Sequence, residues 1–151
     1  MDTKRRQGDS GGSVRASEAK GCDQMTNEVM NFVRSLNLKG KCLDVGSYNV
    51  NGCVRELFAD YTGLDARPGP NVDVVAWANN IPFPDSTFDV VTCLEMLEHD
   101  PDPFSSVREM KRVLKPDGKL VLTVPGIGFP RHDYPNDYWR MTKDGLFFCQ
   151  G

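Results

Sequence analysis

The feature that most constrains this sequence is a series of five short apolar runs that alternate with helical and turn-forming segments. Strands that alternate with helices form parallel sheets, because each crossover carries the chain back along a helix. Val74-Val75 and Val90-Val91 are apolar at consecutive positions, as in strands that are buried on both faces. The sequence therefore predicts an α/β fold with a doubly wound, mostly parallel sheet, whose strands lie at residues 42–45, 61–65, 72–76, 88–93 and 119–124.

Three helical patterns accompany these runs. The first begins at Thr26 or Asn27, either of which can cap a helix, and its apolar stripe consists of Val29, Phe32, Val33 and Leu36. A shorter helix is predicted over residues 54–58. The third covers residues 103–114 and ends before the turn formers at 116–118, with one apolar face made of Phe104, Val107, Met110, Val113 and Leu114.

The domain organisation follows from polarity along the chain. Residues 1–24 are polar and rich in Gly, Ser and charged residues, so they cannot bury enough apolar surface to fold alone. We expect them to form a mobile N-terminal arm. Residues 25–151 are long enough for one domain with its own core.

Charge and composition limit the partners. The chain of 151 residues has a formal charge of −3, and without a basic excess we expect no nucleic-acid partner. No apolar run approaches the roughly 20 residues that span a bilayer, and no apolar segment follows the basic residues at 4–6, so we expect a cytoplasmic protein without a membrane span. The five cysteines include no CxxC pair, so no metal site is predicted.

The first predicted strand ends at Gly46, and a loop leads from it to a second glycine, Gly52. Glycine allows a sharp turn and the close approach of a ligand, and a helix that begins there would add free N–H groups. Tyr48 stands where a second glycine of G-x-G-x-x-G would be, and no G-K-[ST] follows, which argues against an NTPase. The alternative is a plain strand-to-helix turn.

Asp65 ends the second predicted strand. In an open α/β sheet this position faces the crevice at the carboxyl ends of the strands, where a carboxylate can accept both hydroxyls of a ribose. The alternative for Asp65 is a solvated aspartate in a turn.

Five segments in order, LDVGS…NG, YTGLD, IPFPDSTFDVV, EMLEH and RVLKPDGKLVLTVP, resemble class I S-adenosylmethionine-dependent methyltransferases over residues 41–125. The resemblance implies a Rossmann-like sheet with strand order 3-2-1-4-5 for the five strands recognised. It also implies two further strands, the last antiparallel, and we expect strands 6 and 7 to be missing from this sequence. The fifth strand would then be an exposed edge, through which the chain can form a homodimer.

The resemblance implies S-adenosylmethionine as the cofactor. It assigns the methionine part to the loop after the first strand, the ribose to the end of the second, and the adenine to the segment after the third. Glu95 would lie beside the methionine or the substrate, and an indole at position 77 would stack on the base where many members carry an aspartate. The implied cofactor-binding residues are Asp44, Gly46, Ser47, Tyr48, Asp65, Ala66, Trp77, Ala78 and Glu95.

The segment at residues 131–142 follows the fifth strand and gathers charged and aromatic side chains, as binding surfaces often do. We interpret His132, together with His99, as a candidate general base; the alternatives are an ordinary surface histidine for His132 and a capping or packing role for His99. The segment itself can instead be a structural lid. The predicted substrate-binding residues are Asp133, Tyr138, Trp139 and Arg140.

The sequence thus favours a methyltransferase that acts on a small or medium-sized acceptor. The first alternative is a catalytically incompetent fragment that binds the cofactor in a regulatory or interaction role. The second is a nicotinamide-dependent dehydrogenase, against which the interrupted glycine motif counts.

Overall fold

The computed structural model describes residues 19–48, 52–132 and 136–149. Most of the predicted arm, residues 1–18, lies outside this part of the chain, and the arm stays a prediction. The strands are β1 Lys41–Val45, β2 Asp60–Asp65, β3 Val74–Val75, β4 Phe88–Leu94 and β5 Leu114–Thr123. The helices are α1 Ala19–Ser35, α2 Pro103–Val113 and α3 Lys143–Cys149, with 3-10 turns at Arg55–Leu57 and Leu97–His99.

The five strands form one sheet in the order β3-β2-β1-β4-β5, and every pair is parallel. This confirms the predicted Rossmann-like arrangement. Val45 of β1 lies opposite Leu64 of β2, and Asp65 lies opposite Val75 of β3. Because all strands run the same way, the segments that follow them meet at one edge of the sheet.

The two faces of the sheet bury different side chains of the same strands. On one face, Val33 of α1 packs in a core cluster with Cys42 and Val90. On the other, Leu43 and Val91 pack with the α2 residues Val107, Met110 and Val113. This alternation along the strands requires a helix on each side of the sheet, so the double winding is confirmed.

The start of α2 agrees with its sequence pattern. The carboxylate of Asp102 accepts a hydrogen bond from the backbone N–H of Ser105 over 3.2 Å, and Pro103 occupies the first turn. Two members of the predicted apolar face do not belong to it. Phe104 is 44% exposed, and Leu114 is already the first residue of β5.

Two predicted helices differ from those observed. The helix α1 begins at Ala19, well before the predicted cap at Thr26. The segment 54–58 is not an α-helix but a single 3-10 turn over Arg55–Leu57, because the backbone is already extended at Phe58; Val54 and Phe58 are both buried in the core cluster beside α1. In the described part of the chain, therefore, the segment directly after Gly52 contains no α-helix that could supply a row of free N–H groups.

Two predicted strands also differ. The third covers only Val74–Val75 and not residues 72–76. The fifth begins at Leu114 instead of Lys119, because the turn formers at 116–118 lie inside the strand as a bulge. Between the pairs Phe88–Leu114 and Val90–Lys119, β5 advances by five residues while β4 advances by two.

After β5 the described residues contain one further element, the helix α3, and no sixth strand. Within them, β5 pairs only with β4. Dimerisation through its outer edge stays a prediction. No helix of the described chain combines the length and the apolar character needed to cross a bilayer.

Candidate active site

The carboxyl edge of the sheet brings most predicted site residues together. The loop after β1 carries Gly46, Ser47 and Tyr48, and β2 ends at Asp65. Trp77 follows β3, and Glu95 follows β4. In spatial order along this edge they run from the β3 side, through β2 and β1, to β4.

The loop after β1 is fixed to the end of β2 by its backbone. The N–H groups of Gly46 and Ser47 both donate to the carbonyl of Leu64, over 2.8 and 3.0 Å. Gly46 has a φ of +82°, and a Cβ atom there would lie 2.5 Å from Cγ of Met96. Glycine is therefore required here both by the backbone conformation and by the close approach of the chain after β4.

Asp65 is joined to the same loop. Its Oδ2 accepts a hydrogen bond from the N–H of Tyr48 over 3.2 Å, and its Oδ1 accepts one from the N–H of Arg67 over 2.9 Å. The Arg67 guanidinium lies 4.8 Å from the centre of the Tyr48 ring. The carboxylate is thus held in one orientation, and each of its oxygens keeps a lone pair that a ligand hydroxyl can use.

Asp44 lies beneath the loop and is buried. Its carboxylate accepts hydrogen bonds from the hydroxyls of Tyr61, over 2.6 Å, and Thr92, over 2.7 Å. Burial raises the pKa of Asp44 to about 6, and the two hydroxyl donors act in the opposite direction. These two hydrogen bonds join β1, which carries Asp44, to the neighbouring strands β2 and β4.

The hydrogen bonds continue from Tyr61 to the loop. The Tyr61 hydroxyl accepts a bond from the Asn71 amide over 2.7 Å, and the same amide donates to the carbonyl of Ser47 over 3.0 Å. The sequence interpretation did not include Tyr61, Asn71 or Thr92 in the site. Only Thr92 gave a signal, as a hydroxyl residue within the apolar stretch at residues 90–94 of β4.

Ser47 carries a hydroxyl that is buried beside Gly63 of β2. Its Oγ is buried and accepts or donates no hydrogen bond within the described residues. A buried hydroxyl without a partner is costly, and a ligand that binds at this loop would supply one. The loop therefore fits a polar ligand such as an amino-acid group.

On the β3 side the site is apolar and open. The Trp77 side chain is 69% exposed, while Ala78 packs against the core beneath it. Ala66 is half-buried at the end of β2. An exposed indole beside small residues presents a flat surface on which an aromatic ring can stack.

On the β4 side Glu95 is half-buried and has a φ of +51°. Its backbone N–H donates to the carbonyl and the hydroxyl of Thr123, over 3.1 and 3.2 Å, which joins it to the end of β5. Burial raises the pKa of Glu95 above its ordinary value.

Next to Glu95, the two predicted bases lie together with a residue that the sequence interpretation missed. Oε1 of Glu98 lies 3.6 Å from Nε2 of His99 and 3.7 Å from Nε2 of His132. The two imidazole rings are 4.9 Å apart and nearly perpendicular. Burial raises the pKa of Glu98 to about 8, while its own backbone N–H acts in the opposite direction.

Residues 129–132 and 136–140 lie on this side of the site, and Arg140 holds them together. The Arg140 guanidinium pairs with both oxygens of Asp137 and also donates to the carbonyls of Phe129, Pro130 and Trp139. These contacts use all five N–H groups of the side chain. The carboxylate of Asp137 is buried, and the Arg140 guanidinium beside it lowers the pKa of Asp137 well below its usual range.

The remaining predicted acceptor residues lie at the rim. The N–H of Tyr138 donates to the carbonyl of Glu98 over 2.7 Å, and the Trp139 indole donates to the carbonyl of Asp100 over the same distance. Both aromatic rings are partly exposed. Asp133 lies outside the described residues.

Comparison with known proteins agrees with this geometry. The family model described as a methyltransferase domain matches residues 43–122, which is more than half of the chain. A ubiquinone biosynthesis O-methyltransferase of Haemophilus ducreyi is 64% identical over 36 residues, which are 24% of this chain and 15% of that protein. The match therefore spans less than a fifth of the relative's length.

Solved structures share the fold. A SAM-dependent methyltransferase of Thermotoga maritima superposes with a TM-score of 0.66 at 19% identity, over 83% of this chain and 68% of that chain. The [4+2]-cyclase SpnF superposes with a TM-score of 0.59 at 23% identity, over 93% of this chain and 59% of that chain. At these identities the likeness concerns the fold alone, and the two proteins are named for different activities.

Proposed function

The chain belongs to the methyltransferase-domain family, whose cofactor is S-adenosylmethionine, and from that premise we propose that it methylates a hydroxyl group of a small or medium-sized acceptor. The choice of oxygen as the methyl acceptor is supported by the name of the Haemophilus relative, an O-methyltransferase. The observation that carries the proposal is the order of side chains along the carboxyl edge.

This order matches the parts of the cofactor one by one. The exposed Trp77 ring would stack on the adenine, and the oriented Asp65 carboxylate would accept the ribose hydroxyls. The unpartnered Ser47 hydroxyl and the loop around it would hold the amino-acid end. A nicotinamide dinucleotide would require room for a pyrophosphate at a glycine-rich helix start, and the described chain has only a 3-10 turn after this loop.

The cofactor supplies an activated methyl group and a neutral leaving group, so the protein mainly has to position the acceptor and exclude water. Glu95 would favour a cationic sulfur nearby, because it adds negative charge to a half-buried part of the site. Asp44 would contribute less directly, by holding β1, β2 and β4 in register beneath the loop.

A hydroxyl acceptor must lose its proton during the reaction. His132 and His99 would take that proton at Nε2, the ring nitrogen that each directs towards Glu98. The exposed rings of Tyr138 and Trp139 support an acceptor with an aromatic or flat apolar part. Arg140 would act on the acceptor only through the shape of its segment, since its own N–H groups are all in use.

The proposal is tested by measuring S-adenosylhomocysteine release with the chain, S-adenosylmethionine and a panel of phenols, catechols, aliphatic alcohols and amines. We expect turnover with hydroxylated aromatic compounds and transfer of an isotopically labelled methyl group to their oxygen. Cofactor binding without turnover on any acceptor would favour the non-catalytic binder instead. Tighter binding of NADH than of S-adenosylhomocysteine would refute the assignment of S-adenosylmethionine as the cofactor.

A further inference from the structure

Both histidines of the chain meet at one buried carboxylate. The sequence contains two histidines in all, 33 positions apart, and Nε2 of each lies within 4 Å of Oε1 of Glu98. Glu98 is 1% exposed, and neither of its oxygens accepts a hydrogen bond from another described residue. A buried carboxylate without a partner is costly, which points to a cationic or hydrogen-bonding ligand between these three side chains.

The contacts on the far side of the two imidazoles leave Nε2 of each facing Glu98. Nδ1 of His99 lies 2.5 Å from the carbonyl of Asn136, which can only accept a hydrogen bond, so the His99 ring donates from Nδ1. Nδ1 of His132 lies 3.5 Å from Oδ2 of Asp137 and makes no hydrogen bond within the described residues. Each ring thus has a carbonyl or a carboxylate behind it and Nε2 in front, as metal-binding histidines do.

We propose that Glu98, His99 and His132 bind a divalent transition-metal cation, with Zn²⁺ as the best match. Two imidazole nitrogens and one carboxylate oxygen form a common ligand set for zinc, and they leave a position for water or for an oxygen of another molecule. One ligand atom from each residue already lies within 4.8 Å of the other two. In a tetrahedral site such atoms are about 3.3 Å apart, so binding requires the three side chains to close by roughly 1 Å.

The surrounding charges favour a cation. Glu95 lies beside the cluster, and Asp137 stands behind His132. The Arg140 guanidinium, whose positive charge acts on Glu98, is paired with both oxygens of Asp137. His132 belongs to the segment between β5 and α3 and not to a strand, so its ring can shift without disturbing the sheet.

This inference goes beyond the proposed function, because the cation would bind with or without cofactor and acceptor. With the cation in place both Nε2 atoms are occupied, and the histidines are ligands instead of proton acceptors. An acceptor hydroxyl that filled the open position would lose its proton more readily, a consequence that alone rests on the proposed function.

Calorimetry on the untagged, chelator-treated chain tests the site with Zn²⁺, and Mg²⁺ serves as a comparison because it prefers oxygen ligands. We expect one Zn²⁺ per chain and no comparable Mg²⁺ binding. Glu98→Gln and His132→Gln should each weaken Zn²⁺ binding by at least about tenfold. Cys53→Ser, at a half-buried thiol away from the cluster, should leave it unchanged.

Spectroscopy identifies the ligands. Because the chain has two histidines, nitrogen-15 spectra of their rings should show both Nε2 signals moving with one equivalent of Zn²⁺. Bound Co²⁺ should give visible bands without a thiolate charge-transfer band. No binding, binding that survives both variants in folded protein, or a thiolate band would each overturn the proposal. Thermal unfolding confirms that the variants fold, and if one does not, His99→Gln replaces it.

A wrong metal site and a wrong proposed function would give different experimental results. If chelator-treated protein methylates its acceptor at full rate and binds no Zn²⁺, the metal site is wrong and the methyltransferase proposal stands. If Zn²⁺ binds as described but no acceptor is methylated, the site stands and the proposed function fails.

Discussion

The backbone N–H of Tyr48 donates to Oδ2 of Asp65 over 3.2 Å, so the loop after β1 and the end of β2 hold each other in place. This bond fixes the carboxylate before any ligand arrives. A ligand that spans the two strands therefore meets a site whose orientation is already determined, and less ordering is needed on binding.

Replacing Asp65 with alanine should weaken S-adenosylhomocysteine binding by about 1–3 kcal/mol, because the ribose hydroxyls would lose their acceptor. Isothermal calorimetry measures the change. Asp60→Ala is the matched control, since Asp60 is exposed at the opposite end of the same strand. Equal affinities of the two variants would contradict the ribose assignment.

Replacing Trp77 with alanine should also weaken cofactor binding, by about 1 kcal/mol for a lost aromatic stack. The chain has two tryptophans, so a Trp139→Phe background leaves Trp77 as the fluorescent reporter. In that background S-adenosylhomocysteine should change the emission of Trp77. An emission spectrum that does not respond while calorimetry still detects binding would place the adenine elsewhere.

Replacing Tyr61 with phenylalanine should lower the free energy of unfolding by about 1–3 kcal/mol. The change removes a hydroxyl that donates to the buried Asp44 and accepts from Asn71. Urea unfolding gives the value, and Tyr138→Phe at the exposed rim is the control, expected within about 0.5 kcal/mol of the original chain. In a double-mutant cycle Tyr61→Phe and Asn71→Ala should be strongly non-additive.

The pH dependence of stability should reflect Glu98. Burial raises its pKa from 4.5 to about 8, so the folded chain keeps a proton that the unfolded chain loses. The associated stability is fully present below pH 4.5 and is lost as the pH rises towards about 8. Asp44 acts in the same direction, but its contribution ends near its raised pKa of about 6.

Glu98→Gln should therefore flatten the fall in unfolding free energy between pH values of about 6 and about 8, and should reduce the fall between pH 4.5 and about 6 to the part that Asp44 contributes. Urea unfolding across this range, in the presence of a chelator, provides the comparison. Glu56→Gln on the exposed surface should change nothing. A variant whose profile still falls in parallel with that of the original chain would show that another group titrates there.

Arg140→Lys should loosen the segment at residues 129–140, because a lysine cannot replace five donors in fixed positions. Hydrogen exchange should become faster in this segment and stay unchanged in β1 and β2. We also expect a higher KM for the acceptor with little change in cofactor affinity. Arg108→Lys on the exposed side of α2 is the control.

The parallel direction of the strands was predictable because apolar runs alternate with helical segments along the sequence, whereas the strand order came from the resemblance to class I methyltransferases. The errors have local causes as well. Val54 and Phe58 look like one face of a helix, yet tertiary packing draws both into the core around a single 3-10 turn. The turn formers at 116–118 predict a turn between α2 and the fifth strand. In the structure they lie within β5, where they form a bulge.

The candidate site also has a part that the sequence predicts and a part that it does not. Gly46 and Glu95 each follow a strand directly and Asp65 is the last residue of β2, so their shared edge follows from topology. The contact of His132 with Glu98 depends on the path of an irregular segment, which no periodicity encodes. For the same reason the use of every Arg140 donor within its own segment could not be foreseen from sequence.

The clamp between Asp137 and Arg140 ties residues 136–140 to Phe129 and Pro130, so this part of the chain carries its own internal support. The loops on β1 and β2 that would receive the cofactor share none of these contacts. We therefore expect that exchanging the segment, together with its contacts at Glu98 and Asp100, would change the proposed acceptor side and leave the proposed cofactor side as it is.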